Sequence, residues 1–515
     1  MHNGLAALAR RFAAAAAMVG SVTAAQASSV SLPYLEGQMP MAPDAVATLG
    51  PDLFGDKVNL FNGALEFEQV DLSLPGNFAL PVALGRRYAP GRMTFVRGAF
   101  GDWDLDVPRI SGTFSRLGWV TSARGSNRCS GYSLPPAVSE PSYGGGGAIV
   151  SVGFAPSDYW QGNFLHVPGH GGQELLQRGA GYTAQPADGN AWPLVTRNQW
   201  QLRCLSSVQN HPGEGFVAIS PEGVRYRFDW MAVRPLALIR KTAATTTRDE
   251  YFLYATEVSD RFGNWVRYTY STANPMQLQR IESKDGRIIT LQYSNGRVSS
   301  ATDGTRTVYY SYTAQADLQY VNLPDGSRWT FDLGGMLHPL WEALGEGAKC
   351  DSPGVFPTTA LIGRITHPSG ALGVFNVPFA PHGRTFVEQH CWYVQGTSGQ
   401  TTGAVWPRLT RSQTLTRKEI HGPGLGATGL VWIYQYASQS GWTSCTTCSD
   451  RKTVTVTHPD GSMTRHTFGN RWRVNEGQLL QLDEGWNGSS ALRTTTFGYR
   501  HPVSQPCPER FGTTP

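Results

Sequence analysis

Polar and apolar residues alternate along most of this chain with a period of two residues. Such alternation is typical of β-strands that have one buried and one solvent-facing side. It is clearest in V-R-Y-R-F (224–228), V-R-Y-T-Y (266–270), I-T-L-Q-Y (289–293), V-Y-Y-S-Y (308–312) and V-T-V-T-H (454–458). Helical periodicity is nearly absent after the N-terminus, and only P-L-W-E-A-L (339–344) predicts a short helix. The pattern therefore predicts an all-β fold.

One turn motif, called the turn phrase below, occurs four times between these strands. Its copies are S-P-E-G-V-R-Y-R-F (220–228), L-P-D-G-S-R-W-T-F (323–331), H-P-S-G-A-L-G-V-F (367–375) and H-P-D-G-S-M-T-R-H-T-F (458–468). Proline presets φ at the second turn position, and glycine takes the left-handed conformation that starts a bulged second strand. Each copy therefore predicts an antiparallel β-hairpin.

Glycine turns also recur between residues 251 and 333. The glycines at 263, 286, 304 and 326 are 23, 18 and 22 residues apart, which predicts a repeat architecture of stacked hairpins. Aspartate caps its own backbone in such reversals, so we assign these carboxylates to turns rather than to catalysis. The predicted turn residues are Asp260, Gly263, Asp285, Gly286, Asp303, Gly304, Asp325, Gly326, Asp460 and Gly461.

Aromatic side chains recur on one side of the predicted strands. We expect them to form a ladder that joins neighbouring strands: Tyr268, Tyr270, Tyr293, Tyr310, Tyr312, Trp329 and Phe331. An alternative role for aromatic residues is stacking on sugar rings. The pairs Tyr159-Trp160 and Trp392-Tyr393 are the candidates for that glycan contact.

The composition agrees with a turn-rich β protein. Of 515 residues, 40% are hydrophobic, 59 are glycine and 33 are proline, whereas the charged fraction of 16% is low. The chain has enough apolar material for a large core, and its length fits several domains or one extended repeat body. The net charge of +5 is not concentrated in any basic block, which argues against a nucleic-acid partner.

The N-terminus has the features of an export signal. Arg10 and Arg11 precede the apolar run 12–22, and Ala25-Gln26-Ala27 fits a small-x-small cleavage site. We therefore expect residues 1–27 to be removed and the mature chain to begin near Ser28. No later segment approaches the roughly 20 apolar residues that a membrane-spanning helix needs. The expected location is the periplasm, the cell surface or the medium.

An oxidising location favours disulfides among the seven cysteines. Cys445 and Cys448 form a C-x-x-C motif, for which a structural disulfide is the main interpretation and metal binding or redox activity the alternatives. Cys350 and Cys391 flank a predicted turn and form a second candidate pair. Cys129 with Cys204 is a third, which leaves Cys507 as the free thiol.

Several sequence motifs together resemble those of a known family. D-R-F-G-N (260–264), Y-T-Y (268–270), N-G-R-V (295–298) and D-G-T-R-T-V-Y-Y-S-Y (303–312) resemble the YD repeats of bacterial RHS-repeat proteins, which also occur in teneurins. F-N-G-A-L-E-F-E-Q-V-D-L-S-L-P-G (61–76) and L-P-V-A-L-G-R-R-Y (80–88) are similar to the N-terminal part of RHS proteins. The resemblance covers about residues 61 to 500.

This resemblance implies a spiralling antiparallel sheet that forms part of a β-shell. In long members the shell encloses a C-terminal effector, often a toxin, after a motif with a self-cleaving aspartate. This chain stops at Pro515 without that motif, so we expect an N-terminal portion or a short relative. The predicted divisions are a signal (1–27), an N-terminal RHS-type region (28–235), YD hairpins (236–335), further hairpins (336–500) and a tail (501–515).

Other chemistry has weaker support. His166 and His170, with Glu174 nearby, are the best candidates for a metal site, but Pro168-Gly169 prevents the helix that would align the two histidines. No catalytic constellation, metal site or cofactor is predicted. We expect a non-enzymatic, exported shell or scaffold protein, whose partner in a longer form is a C-terminal effector. The alternatives are a carbohydrate-binding surface module with glycan partners and a secreted glycan-acting hydrolase.

Overall fold

The computed structural model describes eleven segments of the chain. They are 52–90, 98–121, 125–143, 149–179, 184–236, 238–241, 244–336, 360–389, 391–396, 399–404 and 408–499. The predicted signal, the predicted tail and the predicted helix at 339–344 lie outside these segments. Within them, no helix is long and apolar enough to cross a membrane.

Nearly all of the regular elements in the described segments are β-strands. The first strands are β1 (Asp56–Val58), β2 (Leu65–Leu74), β3 (Val82–Tyr88), β4 (Asp104–Asp106), β5 (Arg109–Ser115), β6 (Val138–Tyr143), β7 (Ile149–Phe154), β8 (Asn163–Val167), β9 (Gly171–Glu174), β10 (Leu176–Gln177), β11 (Leu194–Val195), β12 (Gln201–Leu205), β13 (Gly215–Ile219) and β14 (Arg225–Pro235). Next come β15 (Ile239–Lys241), β16 (Ala244–Thr246), β17 (Arg248–Ser259), β18 (Trp265–Tyr270), β19 (Leu278–Ser283), β20 (Ile288–Ser294), β21 (Arg297–Thr302), β22 (Thr307–Tyr312), β23 (Leu318–Asn322) and β24 (Arg328–Asp332). The last are β25 (Ile362–Thr366), β26 (Leu372–Asn376), β27 (Phe379–Gly383), β28 (Cys391–Gly396), β29 (Gly399–Ala404), β30 (Leu409–Gln413), β31 (Arg417–His421), β32 (Leu430–Tyr436), β33 (Arg451–Thr457), β34 (Met463–Gly469), β35 (Leu479–Glu484) and β36 (Arg493–Thr496). A four-residue helix, α1 (Pro156–Tyr159), and a 3-10 turn at Gly334–Met336 complete the described elements.

Twenty-four of these strands form one antiparallel sheet. Strands that follow one another in the chain pair through β10–β14, β17–β26 and β31–β36, with β14 joined to β17 and β26 to β31. The long strand β17 also pairs with β5 along residues 248–254, and β5 continues into a branch with β8 and β9. This order confirms the predicted all-β fold of antiparallel hairpins and is consistent with a spiralling sheet. Hydrogen bonding continues across residues 235 and 335 through the β14–β17 and β24–β25 pairs.

The four recurring turn phrases adopt one hydrogen-bonding pattern. In each phrase the glycine N–H donates to the carbonyl of the first residue, as Gly326 does to Leu323 at 3.0 Å and Gly461 to His458 at 2.9 Å. All four glycines have positive φ, between 81° and 89°. Since only glycine adopts that conformation without strain, the phrase determines the hairpin locally.

A second, four-stranded sheet packs on the buried side of the large sheet. It has the order β1-β2-β3-β4, and we call residues 52–90 and 98–107 the N-terminal segment. Its aromatic side chains contact rings on strands that are far apart in the large sheet. The ring pairs, with centroid distances, are Phe100–Tyr310 (4.9 Å), Trp103–Phe331 (5.1 Å), Phe67–Phe375 (4.8 Å) and Phe61–Phe468 (5.6 Å). The main core therefore lies between the two sheets.

Candidate functional site

The buried side of the repeat strands β17–β24 carries a regular set of tyrosines. The second tyrosine of each Y-x-Y motif, or its equivalent, donates its hydroxyl to a backbone carbonyl on the strand immediately before its own. The three bonds are Tyr270 to Ala255 (3.0 Å), Tyr293 to Leu278 (2.8 Å) and Tyr312 to Val298 (2.5 Å). Burial raises the pKa of all three phenols, so each remains a neutral donor.

The strand register explains why tyrosine is needed there. In β19 and β20 the pair farthest from the turn is Arg280 with Thr290, so Leu278 lies beyond the end of this ladder. Tyr293 lies three residues after Thr290 and reaches the Leu278 carbonyl with its hydroxyl. Tyr270 and Tyr312 likewise lie three residues after the last paired residue of their strands, and their acceptor carbonyls lie two residues before its partner. A carbonyl that the ladder leaves unpaired is costly to bury, and the hydroxyl satisfies it.

The remaining predicted ladder residues have different positions. Tyr310 and Phe331 lie one residue beyond the last pair that their strands form with the preceding strand, and they contact the N-terminal segment instead. Trp329 is half-buried, with its ring edge-on to His367 at 4.6 Å. Tyr268 is half-buried on β18. The position equivalent to Tyr293 in the Trp329–Phe331 hairpin is Leu333, which interrupts the series after Tyr312. The same bond recurs in the β35–β36 pair, where the Tyr499 hydroxyl donates to the Leu479 carbonyl at 2.9 Å.

The five predicted turn aspartates lie in the turns of their hairpins. Four of them accept N–H groups from their own turn: Asp260 from Phe262 and Asn264, Asp303 from Thr305 and Arg306, Asp325 from Ser327, and Asp460 from Ser462. Hydrogen bonds lower the pKa of every one of these carboxyls, with side-chain donors as the main cause except at Asp303, where the Arg306 backbone dominates. The five turn glycines have φ between 77° and 92°.

Asp285 differs from the other turn aspartates because it also holds the N-terminal segment. Its carboxylate accepts the Asn77 N–H at 3.1 Å and the Arg287 Nε at 2.9 Å. Arg287 in turn donates to the Leu74 carbonyl at 2.9 Å and lies 4.6 Å above the Phe78 ring. The Arg287 hydrogen bond is the main reason that the pKa of Asp285 is lowered. One repeat turn thus binds the loop between β2 and β3.

Arg86 is the centre of the contact between the two sheets. The side chain is fully buried and its Nε contacts the Asp71 carboxylate at 2.9 Å, while Nη2 donates to Gln69. The guanidinium lies 4.4 Å from the Trp103 ring centroid and 4.6 Å from that of Phe331. Tyr310 adds a hydroxyl bond to Asp71 at 2.9 Å. A buried charge of this kind is tolerated only because it is paired and enclosed by aromatic faces.

Other charges along the same contact are also buried. Arg234 is bound by Asp104 at 2.5 Å and Glu250 at 2.8 Å, and Lys418 binds Asp56 of β1. Lys452 of β33 lies 3.6 Å from the Phe61 ring centroid. Burial lowers the pKa of Lys452 to about 7, although the charge of Glu476 opposes the shift.

The candidate metal residues His166, His170 and Glu174 do not come together as a metal site. His166 Nε2 contacts Asp106 Oδ1 at 2.6 Å, and both side chains are buried. Burial lowers the pKa of His166 and raises that of Asp106, which favours a neutral hydrogen-bonded pair. His170 instead meets the Trp200 ring edge-on at 5.5 Å. Among the described residues, no group of three or more histidine, cysteine or acidic side chains could hold a metal ion.

Trp160 and Tyr159, named as candidates for sugar stacking, are buried. They are 6% and 1% exposed, and Trp160 Nε1 donates to Asn163 at 3.1 Å. Neither ring therefore presents the exposed face that sugar stacking requires. The side chains of Trp392 and Tyr393 lie outside the described residues.

Two of the three cysteine pairs are present as disulfides. Cys445 is bonded to Cys448, and Cys129 to Cys204. Cys350, Cys507 and the Cys391 side chain lie outside the described part of the chain.

Sequence reasoning missed the buried charges, Arg86 above all. The only available signal was two consecutive arginines in L-G-R-R-Y, on a strand otherwise rich in buried residues. Their partners Asp71 and Glu66 lie on β2, which pairs with β3.

The chain has low similarity to the known proteins with which it was compared. No protein-family model and no curated protein match the chain. Among solved structures, the chain is similar to the crystal structure of TcdB2-TccC3, with 13% sequence identity and a TM-score of 0.20, over 86% of this chain and 17% of that chain. A crystal structure of TcdB2-TccC3-TEV shows 9% identity and a TM-score of 0.12, over 84% of this chain and 27% of that one. The chain thus spans less than a third of either structure, and the assignment of its fold rests on its own strand order.

Proposed function

We propose that this chain is an exported RHS/YD-repeat structural protein that forms part of a β-sheet wall. The repeated glycine turns and the carbonyl-capping tyrosines support the repeat assignment. The observation that carries the proposal is the position of the N-terminal segment. It contacts the large sheet from Asp285 to Phe468, so one segment joins strands that are distant in that sheet.

The proposed mechanism is mechanical. Each hairpin in a repeat sheet contacts mainly its neighbours, so a sheet of this length tends to open between repeats. The N-terminal segment ties β22, β24, β26 and β34 to one inner layer. In a longer form, we expect such a wall to contribute to the enclosure of a C-terminal effector.

The proposal includes no catalytic activity. The carboxylates of Asp71 and Asp104 are paired with the buried Arg86 and Arg234, and Asp106 contacts the buried His166. A glycosidase needs a separated acid and base that both face a substrate cleft. Carboxylates whose partners lie in the core favour a structural role instead.

The test is fractionation and protease protection of the polypeptide that the natural gene encodes, whatever its length. We expect the exported form to begin near Ser28 and residues 52–499 to resist trypsin under native conditions. Retention in the cytoplasm with residues 1–27 intact would contradict export. Rapid native cleavage within the repeat strands would contradict the wall. If the polypeptide continues beyond Pro515, resistance of that part until the body is denatured is the result expected for enclosure.

A further inference from the structure

The two disulfides occupy different surroundings. Cys129 is 1% exposed in the main core and is joined to Cys204, which is 75 residues away in the sequence. Cys445 and Cys448 are three residues apart in the segment 437–450, which links β32 to β33. Both are half-buried, and the two threonines between them are exposed. In the first disulfide Cys129 is buried and Cys204 is half-buried, whereas both cysteines of the second are half-buried. A thiol in solution therefore reaches the second disulfide more readily than the first.

The short spacing also weakens the structural explanation for Cys445–Cys448. In the chain-entropy account, a disulfide stabilises a fold more when it closes a longer loop. This argument accounts for Cys129–Cys204 and leaves little stabilisation for a bond that closes so small a ring. A small ring has another property, because its two thiols stay within reach of each other after reduction and can re-form the bond.

The backbone at Gly441 rests against this disulfide. A Cβ atom at Gly441 would lie 2.2 Å from Cys448 Sγ and 3.1 Å from Cys445 Sγ, so only glycine allows this approach. Gly441 is in turn bound to a second segment, 384–387. Its N–H donates to the Arg384 carbonyl at 3.1 Å, and its carbonyl accepts the Val387 N–H at 3.2 Å. The disulfide therefore supports the residue that joins the two segments.

The second segment is bonded to the end of the large sheet. Thr385 N–H donates to the Asn470 carbonyl at 2.8 Å, directly after β34, and Thr385 Oγ1 donates to the Ser449 carbonyl at 3.0 Å. Arg408 brings a positive charge to the same place, since it donates to Ser440 Oγ at 2.9 Å. A nearby cation favours the thiolate form of a reduced cysteine.

We propose that Cys445–Cys448 is a thiol–disulfide exchange site for a dithiol partner. One thiolate of the partner attacks a sulfur of the pair, forms a mixed disulfide and releases the other cysteine as a thiolate. The second partner thiol then attacks the mixed disulfide. The partner ends as a disulfide, and the two electrons and two protons that it loses convert Cys445 and Cys448 to thiols. Reduction removes the support at Gly441 and frees segment 437–450 from segment 384–387.

The first experiment is a titration of the native protein with dithiothreitol. Samples are quenched with an alkylating reagent, and peptide mass spectrometry quantifies the label on each cysteine. We expect Cys445 and Cys448 to be labelled at a dithiol concentration lower by about tenfold or more than Cys129 and Cys204, which serve as the internal control. Equal labelling of the two pairs, or labelling of Cys445 only in denaturant, would overturn the proposal.

The second experiment tests the structural consequence by amide hydrogen exchange. Reduced wild-type protein and the double variant Cys445→Ser, Cys448→Ser should both exchange faster at Val387 and Gly441 than the oxidised protein. The amides of the Tyr293 hairpin serve as the control and should not change. Unchanged exchange at Val387 and Gly441 in the reduced wild type would show that the disulfide does not hold the two segments together.

Discussion

The turns of the repeat strands make most of their hydrogen bonds within themselves, whereas the N-terminal segment bonds to residues far away in the sequence. The Asp325 carboxylate accepts hydrogen bonds from the backbone N–H and the hydroxyl of Ser327, which is two residues away. Asp71 of β2 is contacted by Tyr310, 239 residues away, and Asp56 of β1 by Lys418, 362 residues away. Both regions contribute to one core, but local geometry specifies the first and tertiary contact specifies the second.

The two regions also differ in the kind of residue that they bury. The buried side chains of β18–β24 are apolar or tyrosine except Ser283, as at Val266, Ile289 and Val308. The N-terminal segment brings charged side chains such as Arg86 into the same layer. Repeats can be added to a sheet without changing their neighbours, so we expect charge pairs that cross between the sheets, such as Lys418 with Asp56, to help specify which strands the segment contacts. The comparison suggests four experiments, given from the largest expected effect to the smallest.

Arg86→Ala should have the largest effect. The substitution leaves the Asp71 carboxylate buried without its cation, which costs about 3–5 kcal/mol of unfolding free energy. Chemical denaturation measures the loss. Arg267→Ala is the matched control, because its salt bridge with Glu257 is exposed on both sides and contributes at most about 1 kcal/mol. Similar losses for the two variants would mean that Arg86 does not organise the contact.

Lys452→Met should stabilise the protein at pH 7. The pKa of Lys452 falls from 10.5 in the unfolded chain to about 7 in the folded one, so the folded state binds fewer protons between those values. Wild-type stability therefore rises with pH across this window, and the variant lacks that slope. We expect a gain of about 1–4 kcal/mol at pH 7 that disappears near pH 10.5. Denaturation at both pH values is the measurement, and a gain that does not depend on pH would contradict the titration of Lys452.

Gly326→Ala isolates the contribution of one repeat turn. The site has open space around it, but its φ of 84° should cost alanine about 1–2 kcal/mol. Gly334→Ala is the control, since the space around it is equally open and its φ is ordinary. Thermal unfolding should show a loss for Gly326→Ala and none for Gly334→Ala, and equal shifts would exclude backbone strain as the cause.

Tyr293→Phe should have the smallest effect. It removes only the hydroxyl bond to the Leu278 carbonyl and should cost about 1 kcal/mol, because that carbonyl loses its partner inside the sheet. Tyr309→Phe is the control, as Tyr309 is 58% exposed on the opposite side of β22. Chemical denaturation should separate the two variants. No difference between them would argue that water replaces the hydroxyl at Leu278.

Much of the repeat region could be predicted from residues alone. The turn phrases place glycine where φ is positive, and the alternation of residues such as Val266 and Arg267 assigns the two sides of the strands. The tyrosine hydroxyls were harder to predict, because their partners depend on where each strand pair ends. Trp329 and Phe331 matched the Y-x-Y spacing, yet strand register displaced them from the capping position. The roles of Trp160 and His166 depended on burial, which spacing does not reveal.

The sequence by itself determined the class of the protein: an all-β chain of hairpins, whose recurring turns are specified by glycine together with proline, aspartate or both within a few residues. These elements are local, so neighbouring residues carry the information. Only the tertiary structure decided that β17 joins two branches and that the N-terminal segment covers strands up to β34. It also decided that Arg86 lies between Trp103 and Phe331. Such contacts join residues hundreds of positions apart, and their free energy arises from burial, which exists only once the sheets have packed together.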